Sequence, residues 1–433
     1  WQRGLGPVAE RAPGEHFHAR RAAASVMGTV EFLTLCAATG AEPLITVNVP
    51  SGTPEEAARW LHATNVVGLR GADGQPLPKV PSWEIGNEPY LKDEAQPQLA
   101  MEPEAFARKA DATIRALRAV DPGIRIGLPV ANQQRAGIPM VHFPDWLARV
   151  LGSLTERVDF AAVHDAYMPV VQFGDTTLEE AYWAAMASAR SVQADLARLR
   201  QTLARLRPGL DLPLALTEYH AVFSLGRGAR DEWTGSAAGA LYVADLLRML
   251  AQEPGMMMAN LWSLSGNWRF GAIHSQGFAR PVFAVLQLMN QALRGHLVSV
   301  ATRAASVATP AAGLADAQPA LPLVEALATR EVSAQGQTWL RVLLQHKHPL
   351  QAARGTVHLE GAVVREARLT RLVAGEVMRA DDVPQLMRRE VLALEPATQF
   401  SLSLPPASLS LLELRLDTVA SVDSARTTRL ARA

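Results

Sequence analysis

Between residues 30 and 295 short apolar runs alternate with longer stretches whose apolar positions recur at helical spacing. The runs are Leu44–Val49, Ser82–Glu88, Arg125–Val130, Val158–Tyr167, Leu214–His220 and Met258–Leu264. Between them Thr53–Thr64, Pro103–Val120, Leu178–Leu206 and Thr234–Ala251 read as amphipathic helices. A strand of four to eight apolar residues followed by a long helix is the signature of parallel strands with helical crossovers. Start signals support the helices. In Ser51-Gly52-Thr53-Pro54-Glu55-Glu56 a capping Thr precedes a first-turn Pro and two acidic residues. Polar and ionisable residues gather where the runs end: Asn48, Asn87, Glu88, Asn132, His164, Glu218 and His220. Clustering at strand C-termini is what a parallel barrel produces on its functional face. A doubly wound open sheet would do the same. No glycine-rich phosphate loop follows any run, which argues against nucleotide binding.

The rhythm changes near residue 295. His296–Thr302, Leu323–Thr329, Thr338–His346, Thr356–Leu359, Ala367–Val373 and Phe400–Leu416 are strand-like, are separated by polar or Gly/Pro turns, and have no long helix between them. This predicts an antiparallel β-sandwich, with the Ala- and Pro-rich stretch 304–322 as a loop within it. The expected organisation is a barrel-type unit over 1–295, a sandwich over 296–420 and a polar, Arg-bearing, disordered tail over 421–433.

Composition narrows the function. Lys+Arg and Asp+Glu are both 42, so the formal charge is zero. A nucleic-acid partner would call for a basic excess, and the helix carrying Arg198 to Arg207 reads as a solvated face. No apolar run reaches the ~18–20 residues that span a membrane. The single cysteine, Cys36, permits no internal disulfide and no CxxC metal site, and its apolar neighbours make it a core thiol. The adjoining His164 and Asp165 lack a third ligand at regular spacing, so no metal is assigned.

Two segments carry chemistry. Trp83-Glu84-Ile85-Gly86-Asn87-Glu88-Pro89 starts as a strand and ends in Asn-Glu-Pro. A carboxyl there can protonate a leaving oxygen if its surroundings keep it protonated. Leu214-Ala215-Leu216-Thr217-Glu218-Tyr219-His220 is an apolar strand ending in a carboxylate between aromatic and imidazole groups. An ionised Glu there can attack an anomeric carbon. Retaining glycoside hydrolysis uses two such carboxyls about 5–5.5 Å apart and needs no cofactor. Glu84 shares strand parity with Glu88 and is expected to point inward and pair with a basic group. Trp262 and Trp268 offer flat apolar faces for a sugar, or else belong to the core.

This pairing resembles the large clan of retaining (β/α)₈ glycosidases whose acid/base and nucleophile end barrel strands four and seven. Within it the chain resembles the α-L-arabinofuranosidases of glycoside hydrolase family 51. The matching stretches are Trp1-Gln2-Arg3-Gly4-Leu5-Gly6-Pro7, Gly40-Ala41-Glu42-Pro43-Leu44, Ser51–Ala57 and Trp83–Tyr90, with a similar sandwich ending in Leu404-Pro405-Pro406-Ala407-Ser408. The resemblance implies an α/β fold, a (β/α)₈ TIM barrel followed by an all-β sandwich. It implies Glu88 as acid/base, Asn87 on the sugar's 2-hydroxyl, Glu218 as nucleophile, Asn48 and His164 in the sugar site, and an oligo- or polysaccharide substrate. The family places a Tyr two residues after the strand-six His, against the nucleophile. Here His164-Asp165-Ala166-Tyr167 is one residue longer, and Tyr167 is the candidate. His220, Trp262 and Trp268 complete the candidate site, although Trp262–Trp268 departs from the family's usual text. The family often forms oligomers, which leaves a homo-oligomer among the expectations.

Aligned this way, the family's first two strands would lie upstream of Trp1. The expectation is therefore a truncated product, a fragment or one part of a split protein. The expected activity is exo-acting release of terminal α-L-arabinofuranosyl residues. Another clan specificity, such as β-xylosidase or a uronic-acid-cleaving exoglycosidase, stays open, as does a non-catalytic carbohydrate-binding remnant.

Overall fold

The computed structural model describes residues 1–11, 26–91, 100–131, 143–171, 176–224, 231–266, 270–379, 387–417 and 428–431. The chain divides into two compact units: Trp1–Val163 with Arg200–Ala215, and His164–Leu199 with Leu216–Ala433.

In the first unit β1 (Leu44–Val47), β2 (Ser82–Ile85), β3 (Arg125–Val130) and β4 (Phe160–Val163) run parallel in that order. Helix α1 (Thr29–Thr39) precedes β1, and α2 (Pro54–Leu61), α3 (Pro103–Val120) and α4 (Trp146–Ser153) lie between the strands in the chain. All of β2 and β4 is buried. This is why these runs read as continuously apolar: parallel strands are covered on both faces. Gly127 lets β3 and β4 approach, since a Cβ there would lie 2.2 Å from the Phe160 ring. The N-terminal segment docks through its Trp1 ring, which stacks on Trp60 at 5.7 Å, and Trp60 meets Trp83 edge-on. Thr53 caps α2 by accepting from the Glu56 N–H, as its sequence predicts. The helix is shorter than expected, because His62–Gly68 widens into a π-helical turn. Cys36 is buried, and burial raises its thiol pKa.

In the second unit β5 (Ala166–Pro169) and β6 (Leu214–Val222) are parallel, and β7 (Met256–Leu261) pairs with β6. The run Val158–Tyr167 is therefore two strands, β4 and β5. Within this unit, at its start, the Ala166 N–H bonds back to the His164 carbonyl at 2.9 Å. That three-residue turn interrupts the ladder. Helices α5 (Leu178–Leu206) and α6 (Ala237–Ala251) match two of the expected helices, and a further helix, α7 (Pro281–Ala292), follows them. Two short strands, β8 (Ser265–Gly266) and β9 (Ile273–His274), pair between β7 and α7.

The all-β part comprises β10 (His296–Val298), β11 (Val300–Ala301), β12 (Ser306–Thr309), β13 (Gln318–Pro322), β14 (Val324–Val332), β15 (Thr338–His346), β16 (Ala353–His358), β17 (Val364–Ala374), β18 (Met387–Leu394), β19 (Gln399–Leu404), β20 (Ser408–Leu416) and β21 (Thr428–Ala431), paired antiparallel except for the short parallel pair β11–β21. One sheet has the order β10-β14-β15-β20-β17-β18 and the other β11-β21-β16-β19. Leu344, Leu369 and Leu412 of the first share a core with Val357, Phe400 and Leu402 of the second, which makes a sandwich. Of the tail expected to be disordered, only β21 is among the described residues.

Two differences from the sequence reading have plain causes. Phe400–Leu416 is two strands, because Pro405 and Pro406 cannot extend a ladder. The stretch read as a loop, 304–322, forms the β12–β13 hairpin. Its tip has a structural task. The Leu314 N–H donates to the Pro169 carbonyl at 2.6 Å, and Gly313 (φ 59°) packs where a Cβ would lie 2.2 Å from the Val170 oxygen. The hairpin thus holds the backbone at the end of β5.

Helices α5 and α6 meet the sandwich through buried charge. Lys347 has no exposed surface; its Nζ donates to Asp245 Oδ2 at 2.6 Å and to the Met186 carbonyl at 3.2 Å. Arg248 holds the other Asp245 oxygen at 2.8 Å, and Arg190 pairs with Glu325 at 2.8 Å. Burial alone would push the Asp245 carboxyl up, but the Lys347 ammonium and the Arg248 guanidinium hold it below the usual carboxylate range. Removing one partner of such a group strands a charge. Lys347→Met should therefore cost roughly 3 kcal/mol in urea unfolding. The double variant Asp245→Asn/Lys347→Met should recover most of that loss. A double variant no more stable than the single would show that packing, not charge, is what Lys347 supplies.

Candidate active site

In the first unit the end of β2 carries Glu88. The Gly86 N–H bonds back to the Glu84 carbonyl at 3.1 Å, and Gly86 takes φ 88°. A Cβ there would press on Val49 at 3.3 Å, so the turn calls for glycine on two counts. Glu88 itself has φ 41°. A non-glycine residue in the left-handed region stores on the order of 1–3 kcal/mol and persists only where its surroundings over-determine it. Those surroundings are visible. The Leu91 N–H donates to the Glu88 carbonyl at 2.9 Å, and the Met101 N–H donates to the Pro89 carbonyl at 2.8 Å. Tyr90 is buried with its ring 5.4 Å from Trp146. The result is an exposed Asn87 beside a half-buried Glu88. Asn48, after β1, is exposed and braced locally: Nδ2 donates to Ser51 Oγ at 2.8 Å, and Oδ1 accepts from the Ser51 N–H at 3.2 Å. Glu84 is buried as expected and accepts a hydrogen bond from the Thr46 hydroxyl at 3.3 Å.

In the second unit Glu218 is the one residue of β6 that is not fully buried. Tyr167 pairs with His220 across the β5–β6 ladder, so both project to the face that Glu218 shares by strand parity. The Tyr167 phenol donates to Glu218 Oε2 at 2.7 Å. His164 Nδ1 lies 3.8 Å from the same oxygen, and its Nε2 lies 3.0 Å from Thr217 Oγ1. The turn between β4 and β5 explains how the longer spacing still works. It takes up one residue, so His164 and Tyr167 both reach Glu218.

His220 is buried, with Nδ1 2.9 Å from the Ala221 carbonyl and its ring 5.3 Å from Phe270. Of the aromatic candidates, Trp262 is 45% exposed, and its backbone N–H donates to the Tyr219 carbonyl at 3.0 Å. It is not a core residue. Trp268 and Asn132 lie outside the described residues. Sequence reasoning missed Phe270 and Arg280, which pack beside the site residues of this unit. The Arg280-Pro281 pair at the start of α7 was the available signal.

Burial pushes the His220 pKa down to about 4, helped by the nearby Arg280 charge. The unfolded chain then binds the proton first as pH falls from about 6.5. Stability from this group is complete above that pH and is lost towards pH 4. Urea unfolding should give about 2 kcal/mol less stability at pH 5 than at pH 7 from this source. The His220→Asn variant should show a correspondingly smaller pH dependence. Equal dependence in both proteins would mean that His220 takes up its proton within the fold.

No protein-family model matches this chain. Known relatives do. A probable α-L-arabinofuranosidase C of Aspergillus flavus is 30% identical over 131 residues, 29% of this chain and 25% of the relative. The intracellular exo-α-(1→5)-L-arabinofuranosidase of Halalkalibacterium halodurans is 27% identical over 174 residues, 39% of this chain and 33% of the relative. The chain thus spans a quarter to a third of the length of these curated relatives. Among solved structures, the thermostable GH51 α-L-arabinofuranosidase of Thermotoga petrophila superposes with a TM-score of 0.71 at 22% identity, covering 95% of this chain and 84% of that one. That likeness bears out the expected fold class, parallel strand–helix units of (β/α)₈ type followed by an antiparallel sandwich. In fold over nearly its whole length, and in sequence over part of it, the chain is similar to the α-L-arabinofuranosidases of glycoside hydrolase family 51.

Proposed function

We propose that the protein is a retaining exo-glycoside hydrolase that releases terminal α-L-arabinofuranosyl residues from an oligo- or polysaccharide. The observation that carries this reading is Glu218, a half-buried carboxylate in the middle of an otherwise buried parallel strand, hydrogen-bonded by the Tyr167 phenol at 2.7 Å. Glu218 is the nucleophile and Glu88 the general acid/base. Glu88 gives its proton to the glycosidic oxygen as the bond from that oxygen to the anomeric carbon breaks, and a Glu218 oxygen bonds to that carbon. Water then attacks the same carbon, Glu88 takes the water's proton, and Glu218 leaves as a carboxylate. Tyr167 and His164 hold Glu218 in place through both steps. Asn48 and Asn87 present amides to sugar hydroxyls, and Trp262 offers a ring face for stacking. No helix among the described residues is long and apolar enough to cross a membrane.

The wild-type protein should release 4-nitrophenol from 4-nitrophenyl α-L-arabinofuranoside and not from the β-D-xyloside. Glu218→Gln should lower kcat by on the order of 10⁴-fold while its thermal unfolding stays within a few degrees. Proton NMR of the first-formed sugar should show the α anomer. An initial β anomer would sink the double-displacement mechanism, and release only from the xyloside would sink the specificity.

A further inference from the structure

The Tyr167 phenol is held from two sides in the second unit. One is its own hydrogen bond to Glu218. The other is Phe270, whose ring stands 5.8 Å from the Tyr167 ring at 63° and 5.3 Å from the His220 ring at 67°. Both are edge-to-face contacts of the kind aromatic quadrupoles favour. Phe270 is itself fixed by Arg280, which is only 4% exposed. Arg280 Nη1 donates to the Phe270 carbonyl at 2.6 Å and to the Gly271 carbonyl at 3.0 Å, and the Arg280 backbone N–H donates to the Ala272 carbonyl at 2.9 Å. A buried guanidinium spent on two successive backbone carbonyls fixes that segment of chain. Arg280 directly precedes Pro281, the first residue of α7, so the clamp is anchored on a helix.

We infer that Phe270, clamped by Arg280, is a positioning residue that holds the Tyr167 hydroxyl on Glu218. The inference rests on the reading of Glu218 as the nucleophile for its kinetic consequence, but not for its geometry. Phe270 acts only by denying the Tyr167 ring the rotation that would carry its hydroxyl away. Arg280 acts one step further back, by fixing where the Phe270 ring stands.

Two readouts test this, one independent of activity. Crystal structures of the wild type and of Phe270→Leu should show Tyr167 bonded to Glu218 in the first and displaced in the second. In kinetics on the aryl arabinofuranoside, Phe270→Leu should lower kcat about tenfold, the loss expected from one or two aromatic contacts, with KM changed less than twofold. In a Tyr167→Phe background the same replacement should change kcat less than about twofold, because the hydroxyl it positions is already gone. Arg280→Lys should lower kcat in the same direction and be non-additive with Phe270→Leu. If Phe270→Leu does not fold, Phe270→Met serves with the same expectations. A Tyr167 still seated on Glu218 in the variant crystal overturns the inference, as does full multiplication of the two kinetic losses. A wild type inactive on every aryl glycoside would end the proposed function, and the crystal comparison alone would then decide the positioning role.

Discussion

Asp245 is a carboxylate with no exposed surface, and its charge governs how the second unit is put together. It sits on α6 and can stay ionised only if cations are brought to it. One comes from the same helix, Arg248, and one from the residue that follows β15, Lys347. Glu325 of β14 and Arg190 of α5 extend the cluster. Two helices and two strands of the sandwich are therefore committed to one arrangement, because any other leaves a charge buried without a partner. Neutral contacts follow the same line. Gln345 donates to the Leu241 carbonyl, the Thr329 hydroxyl to the Ala292 carbonyl, and the Tyr182 hydroxyl to the Lys347 carbonyl. The sandwich is in this way the outer wall of the helices that flank β5 and β6.

That wall bears on the site. The hairpin tip at Gly313–Leu314 grips the β5 backbone two or three residues beyond Tyr167. On the other side Phe270 and Arg280 confine the Tyr167 ring. A hydrogen bond to a carboxylate is useful only if the donor cannot wander, and here both the backbone and the ring of the donor are fixed by elements that carry no chemistry. In the first unit the same end is reached differently. Glu88 is placed by a strained turn that needs Gly86, and by backbone hydrogen bonds that hold the strain in place. Left-handed backbone at a carboxylate is a cost that ordinary packing would remove, which is why it is informative about function.

Much of this was legible in the sequence. Parallel strands covered on both faces must be apolar, so β2 to β6 stood out as short apolar runs, with β4 and β5 read as one, and the change to alternating, turn-separated segments marked the sandwich. A polar residue has few places to go on such a strand except its end, and Asn48, Glu88 and His164 do follow β1, β2 and β4, whereas Glu218 stands in the middle of β6. The hairpin over 306–322 was read as a loop because short strands with many Ala and Pro residues leave no periodic signal.

What the sequence determined by itself was the succession of strand–helix units and the change to a sandwich, since both follow from local pattern. Tertiary structure decided three things that no local pattern encodes. The turn at His164–Ala166 let a Tyr one residue too far along reach Glu218. The ring of Phe270, about a hundred residues from Tyr167 in the chain, came to stand against it. Lys347, which reads as an ordinary polar residue after a strand, was buried because Asp245 required it. Each depends on partners distant in the chain, and the free energy that selects them exists only once the backbone has brought those partners together.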